Sequence, residues 1–138
     1  MGVRMSSTSR EIGAITLLTD DVAASRSFYI DVFGVPLVYE DEVSAVFQFA
    51  ATMINLLDVA AADTRFDPRP VGTHSDGARV LLTVGVDDVD AECDRLRSLG
   101  VALLNGPMDR PWGIRTASFL DPSGHVWEIA HDLPQPVG

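Results

Sequence analysis

The chain has 138 residues, 46% of them hydrophobic and 22% charged, which fits a globular protein of one domain or of two small modules sharing a core. Its net charge of −10 argues against a nucleic-acid partner, whose phosphates attract clustered cations, and no apolar run approaches the roughly 20 residues of a membrane span. All ten cationic side chains are arginines, which excludes a lysine Schiff base, and the single cysteine, Cys93, allows no intrachain disulfide and makes a reducing cytoplasm the default.

The first structural module follows a flexible tail that is predicted over residues 1–10. Its first strand covers Ile12–Thr19, and Asp20 or Asp21 is a natural N-cap for a helix. Apolar residues then recur at helical spacing until Gly34, which takes the position after the helix C-terminus. Three further short strands are predicted at Pro36–Glu40, Ala45–Ala50 and Met53–Asp58.

A linker separates this module from a second one. Residues 60–77 contain Pro68, Pro70 and Gly72, which are typical of a connecting segment. The same order of elements then returns, with a strand at Arg79–Val86 and an N-cap at Asp88. The apolar stripe of the second helix is formed by Val89, Cys93, Leu96 and Leu99, and the helix ends at Gly100. Strands near Val101–Leu104, Arg115–Leu120 and His125–His131 follow, and then a tail at 133–138.

The two modules are copies of one pattern. In each, Asp-Asp-Val starts the helix and Gly-Val follows it, and the second copy lies 66 or 67 residues after the first. These motifs stand at 20–22 and 34–35, and again at 87–89 and 100–101. The sequence therefore predicts an α+β fold of two tandem βαβββ modules, at 11–59 and 78–132, within one structural domain overall.

Three motifs resemble a known family. The chain has a helix start at Asp21-Val22, the pattern S-x-x-F-Y over 25–29, and a closing strand with the pattern D-P-x-G-x-x-x-E over 121–128. Together with the repeated module they resemble the vicinal oxygen chelate superfamily, which includes glyoxalases, bleomycin-resistance proteins and extradiol dioxygenases. The resemblance covers roughly residues 11–132. It implies a cupped mixed sheet with the helices on its outer face, and a homodimer.

The resemblance also implies four metal-ligand positions, two in each module. Alignment of the motifs places them at Ala14 and Asn55 in the first module and at Leu81 and Glu128 in the second. Only Glu128 is a convincing ligand, because a divalent metal requires several histidine or carboxylate donors. The sequence therefore predicts that no catalytic metal is bound, and no other cofactor is expected. The histidines do not replace the missing ligands, because His131 has the opposite strand parity from Glu128.

Strand parity separates two faces of the predicted sheet. Residues two apart share a face, so the face of the implied ligand positions can be written down. This face is apolar except for Thr16, Asn55, Thr83 and Glu128. The alternate face is expected to pack on the helices, and its central residues are all apolar: Ile15, Leu17, Ile54, Leu56, Leu82, Val84, Trp127 and Ile129. A mostly apolar pocket with a few placed polar groups is typical of a small-molecule site.

Further candidates for ligand binding lie outside these four positions. The segment Asn105–Arg115 is predicted to be a loop, in which Trp112 is either a local hydrophobic plug or a platform for a ligand. Arg115 is expected to meet Glu128 or a ligand anion, or else to be a surface arginine. Phe47 and Phe49 are candidates for the aromatic walls of the site, with core packing as their alternative.

These observations favour a cytoplasmic small-molecule-binding protein without the usual metal and with no nucleic-acid or membrane partner. A resistance protein that sequesters an aromatic ligand is one form that this function takes in the family it resembles. The alternative is an enzyme, either a lyase, an isomerase or a dioxygenase, with an unusual metal site or with Glu128 as general base. Glu128 has three open roles: ligand anchor, catalytic base, or member of a structural hydrogen-bonded group.

Overall fold

The computed structural model describes residues 10–135, apart from the side chains of residues 63 and 64. Most of the two predicted tails, namely residues 1–9 and 136–138, lies outside the described residues. The chain divides after Thr73, inside the predicted linker, and each of the two units carries one βαβββ module. We call them unit 1 and unit 2.

Unit 1 contains all the strands predicted for the first module, each with ends within two residues of the prediction. Its elements are β1 (Ala14–Thr19), α1 (Val22–Phe33), β2 (Leu37–Glu40), β3 (Ser44–Phe49) and β4 (Thr52–Asp58). The four strands form one mixed sheet in the order β1-β4-β3-β2, in which β1 and β4 are parallel and the other pairs are antiparallel.

The caps of α1 follow from two residues of the sequence. Asp21 has extended backbone angles, and its side chain accepts a hydrogen bond from the Ala24 N–H at 3.0 Å. Gly34 has a φ of 62° and donates to the carbonyl of Ile30, which closes the last turn in a left-handed conformation that favours glycine. Of the two predicted N-caps, Asp21 is therefore the residue that performs this role.

The core of unit 1 lies between α1 and one face of the sheet, which we call the helix face. Tyr29 of α1 is completely buried, with its ring centroid 5.6 Å from that of Phe47, and Phe33 stacks edge-on with Phe49 at 5.2 Å. Phe47 is itself 0% exposed and pairs across strands with Ile54. The structure therefore packs both phenylalanines against α1, which is the alternative to a ligand-binding role, because the alternation along β3 turns them towards the helix.

The segment between the modules has more structure than the predicted linker. It contains a 3₁₀ turn at Val59–Ala61, the short helix α2 (Asp63–Phe66), and a second 3₁₀ turn at His74–Asp76. The first turn begins at Asp58, whose side chain accepts a hydrogen bond from the Ala60 N–H at 2.8 Å. The prolines and glycines that indicated a linker still lie outside these short helices.

Unit 2 repeats the architecture of unit 1. Its elements are β5 (Leu81–Gly85), α3 (Val89–Ser98), β6 (Leu103–Asp109), β7 (Ile114–Leu120) and β8 (Val126–Asp132). The sheet order is β5-β8-β7-β6, again with the first and last strands of the module parallel. Asp88 caps α3 as predicted, whereas Leu99 lies just past the end of the helix and is 45% exposed, so it does not join the buried stripe.

The strand β6 corrects the predicted loop at Asn105–Arg115. β6 continues to Asp109, so only a turn of four residues, 110–113, separates it from β7. Pro107 is tolerated because β6 is an edge strand, on which a missing N–H need not interrupt the sheet. Gly106 has a φ of 84° beside a register shift, and a Cβ on it would lie 2.5 Å from the Thr116 carbonyl oxygen, so only glycine fits this bulge.

Within residues 10–135, no helix is long and apolar enough to cross a membrane.

Replacement of Phe47 by alanine should lower the free energy of unfolding by about 3–5 kcal/mol, because the lost ring leaves a cavity against Tyr29. Chemical denaturation measures this change, and Phe47→Leu provides a milder variant if the alanine variant does not fold. Val46→Ala, one residue earlier and on the other face of β3, is the matched control and should cost less. Equal losses for the two variants would contradict the assignment of the faces.

Candidate functional site

Asn55 lies at the centre of the other face of the unit 1 sheet, which we call the Asn55 face. On β4 it pairs with Thr16 of the parallel strand β1 and with Val46 of the antiparallel strand β3. Its side-chain Nδ2 donates to Thr16 Oγ1 at 3.3 Å. Its Oδ1 is buried and accepts no hydrogen bond from the described residues. A buried amide oxygen without a donor is costly, so this position favours a ligand that supplies one.

A cavity of about 400 Å³ opens beside this amide. Its volume falls within the range of small-molecule sites. Eight residues line it, six of them polar: Ala14, Thr16, Tyr39, Asp41, Ser44, Val46, Asn55 and Arg65. Thr16 and Asn55 were predicted site residues. Arg65 lies in the segment that was interpreted only as a linker, and the polar groups of β2 and β3 make the cavity more polar than expected.

Asp41 fixes a negative charge at the cavity. Its carboxylate accepts hydrogen bonds from the Tyr39 hydroxyl at 2.8 Å, from the Val43 N–H at 2.9 Å and from the Ser44 hydroxyl at 2.8 Å. These bonds, that from Tyr39 first, hold the pKa of Asp41 below its ordinary value, and the same carboxylate raises the pKa of Tyr39. The cavity therefore carries a carboxylate at neutral pH, and Arg65 is the cationic residue in its described lining.

Glu128 occupies the matching position in unit 2. It pairs with Thr83 of the parallel strand β5, and Thr83 Oγ1 donates to Glu128 Oε1 at 2.9 Å. A row of polar residues continues across the sheet, from Glu128 to Ser118 of β7 and on to Asn105 of β6. We call this side of the sheet the Glu128 face. The hydrogen bond from Thr83 is the only one that the Glu128 carboxylate makes with the described residues.

Arg115 does not contact Glu128, which was one of the alternatives that the sequence left open. It pairs across strands with His131, on the helix face, and its guanidinium forms a two-point contact with Asp90 of α3 at 2.9 Å and a third hydrogen bond with Asp109 at 2.8 Å. Arg115 therefore joins α3 to β6 and β7. It lowers the pKa of Asp90, while the two carboxylates raise the pKa of Arg115 itself.

Arg110 is the guanidinium that lies on the Glu128 face. It begins the short turn after β6, and its Nε donates to Thr116 Oγ1 at 2.9 Å and its Nη2 to Asn105 Oδ1 at 3.4 Å. Its Cζ lies 5.8 Å from the ring centroid of Trp112, which is 67% exposed. Trp112 is therefore not a buried plug, and its role as a platform for a ligand stays a prediction.

The four implied metal-ligand positions do not fit a divalent ion. Ala14 and Leu81 have no donor atoms, Asn55 offers only a neutral amide, and Glu128 is the one carboxylate. Among the described residues, no group of three His, Cys, Asp or Glu side chains is arranged to hold a metal. His131 lies on the helix face of its sheet, where its Nδ1 accepts a hydrogen bond from the Val89 N–H at 2.8 Å.

The family of the chain follows from the repeated module and from direct comparison. A family model, that of the Glyoxalase/Bleomycin resistance protein/Dioxygenase superfamily, matches residues 11–129. The chain therefore belongs to this superfamily, and the predicted resemblance is confirmed. The two mixed sheets with their helices are the fold of this family, as the structural comparisons also show.

Three proteins are similar to this chain over most of its length. YraH of Bacillus subtilis is 34% identical over 119 residues, which are 83% of this chain and 93% of YraH. A glyoxalase/bleomycin resistance protein/dioxygenase from Nocardioides is 25% identical, with a TM-score of 0.79 over 96% of this chain and 93% of its own. TnmS3, an antibiotic binding protein from Streptomyces, is 28% identical, with a TM-score of 0.68 over 94% of this chain and 100% of its own.

Replacement of Arg115 by glutamine should lower the free energy of unfolding at neutral pH. The gap in this free energy between the wild type and the variant should become smaller in acid. The pKa of Asp90 is lower in the folded protein than its ordinary value of 3.8, so its contribution is present above that value and is lost as the pH falls through the folded pKa. Denaturation at several pH values measures the gap. Arg97→Gln, which removes an exposed pair with Asp94, should change little; a gap for Arg115→Gln that stayed constant down to low pH would contradict this role.

Proposed function

We propose that this protein is a small-molecule-binding protein whose ligand occupies the cavity on the Asn55 face of unit 1. The observation that carries the proposal is the buried Asn55 Oδ1, which accepts no hydrogen bond from the described residues and belongs to a residue that lines a cavity of about 400 Å³. A ligand that donates a hydrogen bond to this oxygen removes the penalty of leaving it unpaired. TnmS3, which is similar over 94% of this chain, is an antibiotic binding protein, and this supports a binding role.

The ligand is a polar molecule rather than a flat hydrocarbon ring. Hydroxyl, carboxylate, amide and guanidinium groups surround the cavity, and Tyr39 is its only aromatic lining residue. Asp41 already accepts three hydrogen bonds, so the groups left for a ligand are chiefly the Asn55 oxygen and the guanidinium of Arg65. The proposed ligand therefore carries a hydroxyl or N–H donor close to an electron-rich group.

The proposal includes binding without a metal, as a homodimer in the cytoplasm. The metal-free part rests on the donor set, in which one carboxylate stands alone among two aliphatic side chains and a neutral amide. Elemental analysis of protein purified without chelators tests it, because a stoichiometric divalent metal that is lost in Glu128→Ala would overturn it. The dimer is expected from the family resemblance, and sedimentation equilibrium measures it directly.

Replacement of Asn55 by leucine should weaken binding about tenfold, because one hydrogen bond to a buried group is worth about 1–1.5 kcal/mol. A thermal-shift panel of small hydroxylated and aminated compounds first identifies binders, and calorimetry then compares their dissociation constants. Leucine has nearly the shape of asparagine, so the cavity is kept.

The matched control for Asn55→Leu is Gln48→Leu. Gln48 is also an amide on the Asn55 face, but it pairs with Met53 at the far end of the strand and donates to the carbonyl of Ala50. This variant should bind as the wild type does. If Asn55→Leu retained full affinity for every binder, the cavity would not be the ligand site.

A second candidate function is enzymatic, and the geometry of Glu128 favours it. Thr83 holds one carboxylate oxygen, and the other makes no hydrogen bond to a described residue. A carboxylate that is held on one side and free on the other can remove a proton from a carbon next to a carbonyl group. Such a proton transfer to Glu128 would begin an isomerase or lyase reaction.

Glu128→Gln keeps the shape of the side chain but removes the base. If Glu128 is catalytic, the variant should slow hydrogen–deuterium exchange at the carbon beside the carbonyl of a bound ketone or aldehyde by about 10²–10⁴-fold. Proton NMR in D₂O follows this exchange. Thr83→Val, which removes only the orienting hydroxyl, should slow it less. Equal exchange with wild type and Glu128→Gln would leave binding as the sole function.

A further inference from the structure

The guanidinium of Arg110 is held in place without being neutralised. It uses the edge formed by Nε and Nη2 to donate to Thr116 Oγ1 and Asn105 Oδ1, both of which are uncharged acceptors. Thr116 is 0% exposed, so it fixes the position of the Nε edge. No carboxylate among the described residues forms an ion pair with Arg110. Arg115, five residues later, contrasts with it, because two carboxylates surround that guanidinium.

The remaining edge of Arg110 has the geometry that carboxylates prefer. A guanidinium has five N–H groups in a planar fork, and two are engaged here. The outer N–H groups of Nη1 and Nη2 are parallel, and such a pair binds the two oxygens of a carboxylate. In a chain with a net charge of −10, a positioned and unneutralised cation on this face attracts an anion selectively.

Trp112 adds an apolar wall beside the same cation. Its ring is 67% exposed, and the cation–π contact with Arg110 at 5.8 Å keeps the two groups together. The turn that carries both is short and is closed by hydrogen bonds from the Arg110 N–H to the Ile114 carbonyl and from the Gly113 N–H to the Arg110 carbonyl. An exposed indole on a rigid turn is suited to stacking on an aromatic ring.

We propose that Arg110 and Trp112 form a subsite for an aromatic carboxylate on the Glu128 face of unit 2. The carboxylate binds the free edge of Arg110, and its ring packs on the indole. This inference goes beyond the proposed function, because it adds to unit 2 a separate subsite that recognises an anionic aromatic group. Glu128, on the same face, disfavours a second negative charge on that ligand.

Benzoate and benzamide are matched probes for this subsite, because they share a ring and differ in charge. Backbone amide shifts of Arg110 and of residues 112–114 in NMR titrations report binding of either probe, even where the indole is replaced. The wild type should bind benzoate roughly three- to tenfold more tightly than benzamide, as expected for a charge-assisted bidentate contact near the surface.

Arg110→Gln should abolish the preference for benzoate, since a glutamine keeps a donor but loses the charge. Arg97→Gln, with the same change of net charge on the exposed side of α3, should retain the preference. Trp112→Ala should weaken both probes by a similar factor and is the second variant if Arg110→Gln perturbs the turn. Its benzoate preference should remain, because Arg110 is still present.

Equal affinity of the wild type for the two probes, or a preference that survives Arg110→Gln, would overturn the subsite. So would an absence of amide shifts at Arg110 and at 112–114 with either probe. None of these results bears on the proposed binding function itself, which is judged in unit 1 by the thermal-shift panel and Asn55→Leu. If the panel finds binders while benzoate shows no preference at Arg110, the binding function stands and this inference fails.

Discussion

The parallel pairing of the first and last strands in each module is the constraint on which the rest of the molecule depends. Parallel neighbours cannot be joined by a tight turn, so the chain must cross over, and the helix of the crossover covers one face of the sheet. The polar residues of β1 and β4, or of β5 and β8, are thereby set on the opposite face. The register of the parallel strands then determines which polar residues are neighbours: Thr16 lies beside Asn55, and Thr83 lies beside Glu128.

Most of the fold could be predicted from the sequence because the signals that define its elements are local. The helix starts at Asp21 and Asp88 are local signals that need no tertiary information, and so is the glycine stop at Gly34. The alternation along the paired strands is equally local, because a one-residue slip would expose every apolar side chain. Because the whole pattern is repeated, each element is predicted by two separate segments of the sequence.

The candidate site was less predictable because half of it lies on the hairpin strands. Alternation alone cannot tell which set of residues on β3 or β7 faces the helix, since register there depends on the turns and bulges. The alternatives for Phe47 and Arg115 stayed open in the sequence for this reason. The bulge at Gly106 lies in β6. The length of this strand could not be inferred, because its segment is rich in proline and glycine. No sequence signal indicated that Arg65 lines the cavity, because the composition of a linker does not show where its side chains lie.

The two copies have the same geometry but different chemistry at their central position. In unit 1 a neutral amide receives no donor from the described residues, whereas in unit 2 a carboxylate receives one from a threonine. An unpaired amide oxygen binds a hydrogen-bond donor whether the ligand is charged or neutral. A carboxylate, in contrast, disfavours anionic ligands by Coulomb repulsion. The only cations placed on the two faces by the described contacts, Arg65 and Arg110, lie at their margins. Under the proposed function, duplication fixes where a ligand group lies, and the identity of one residue in each copy decides which group it is.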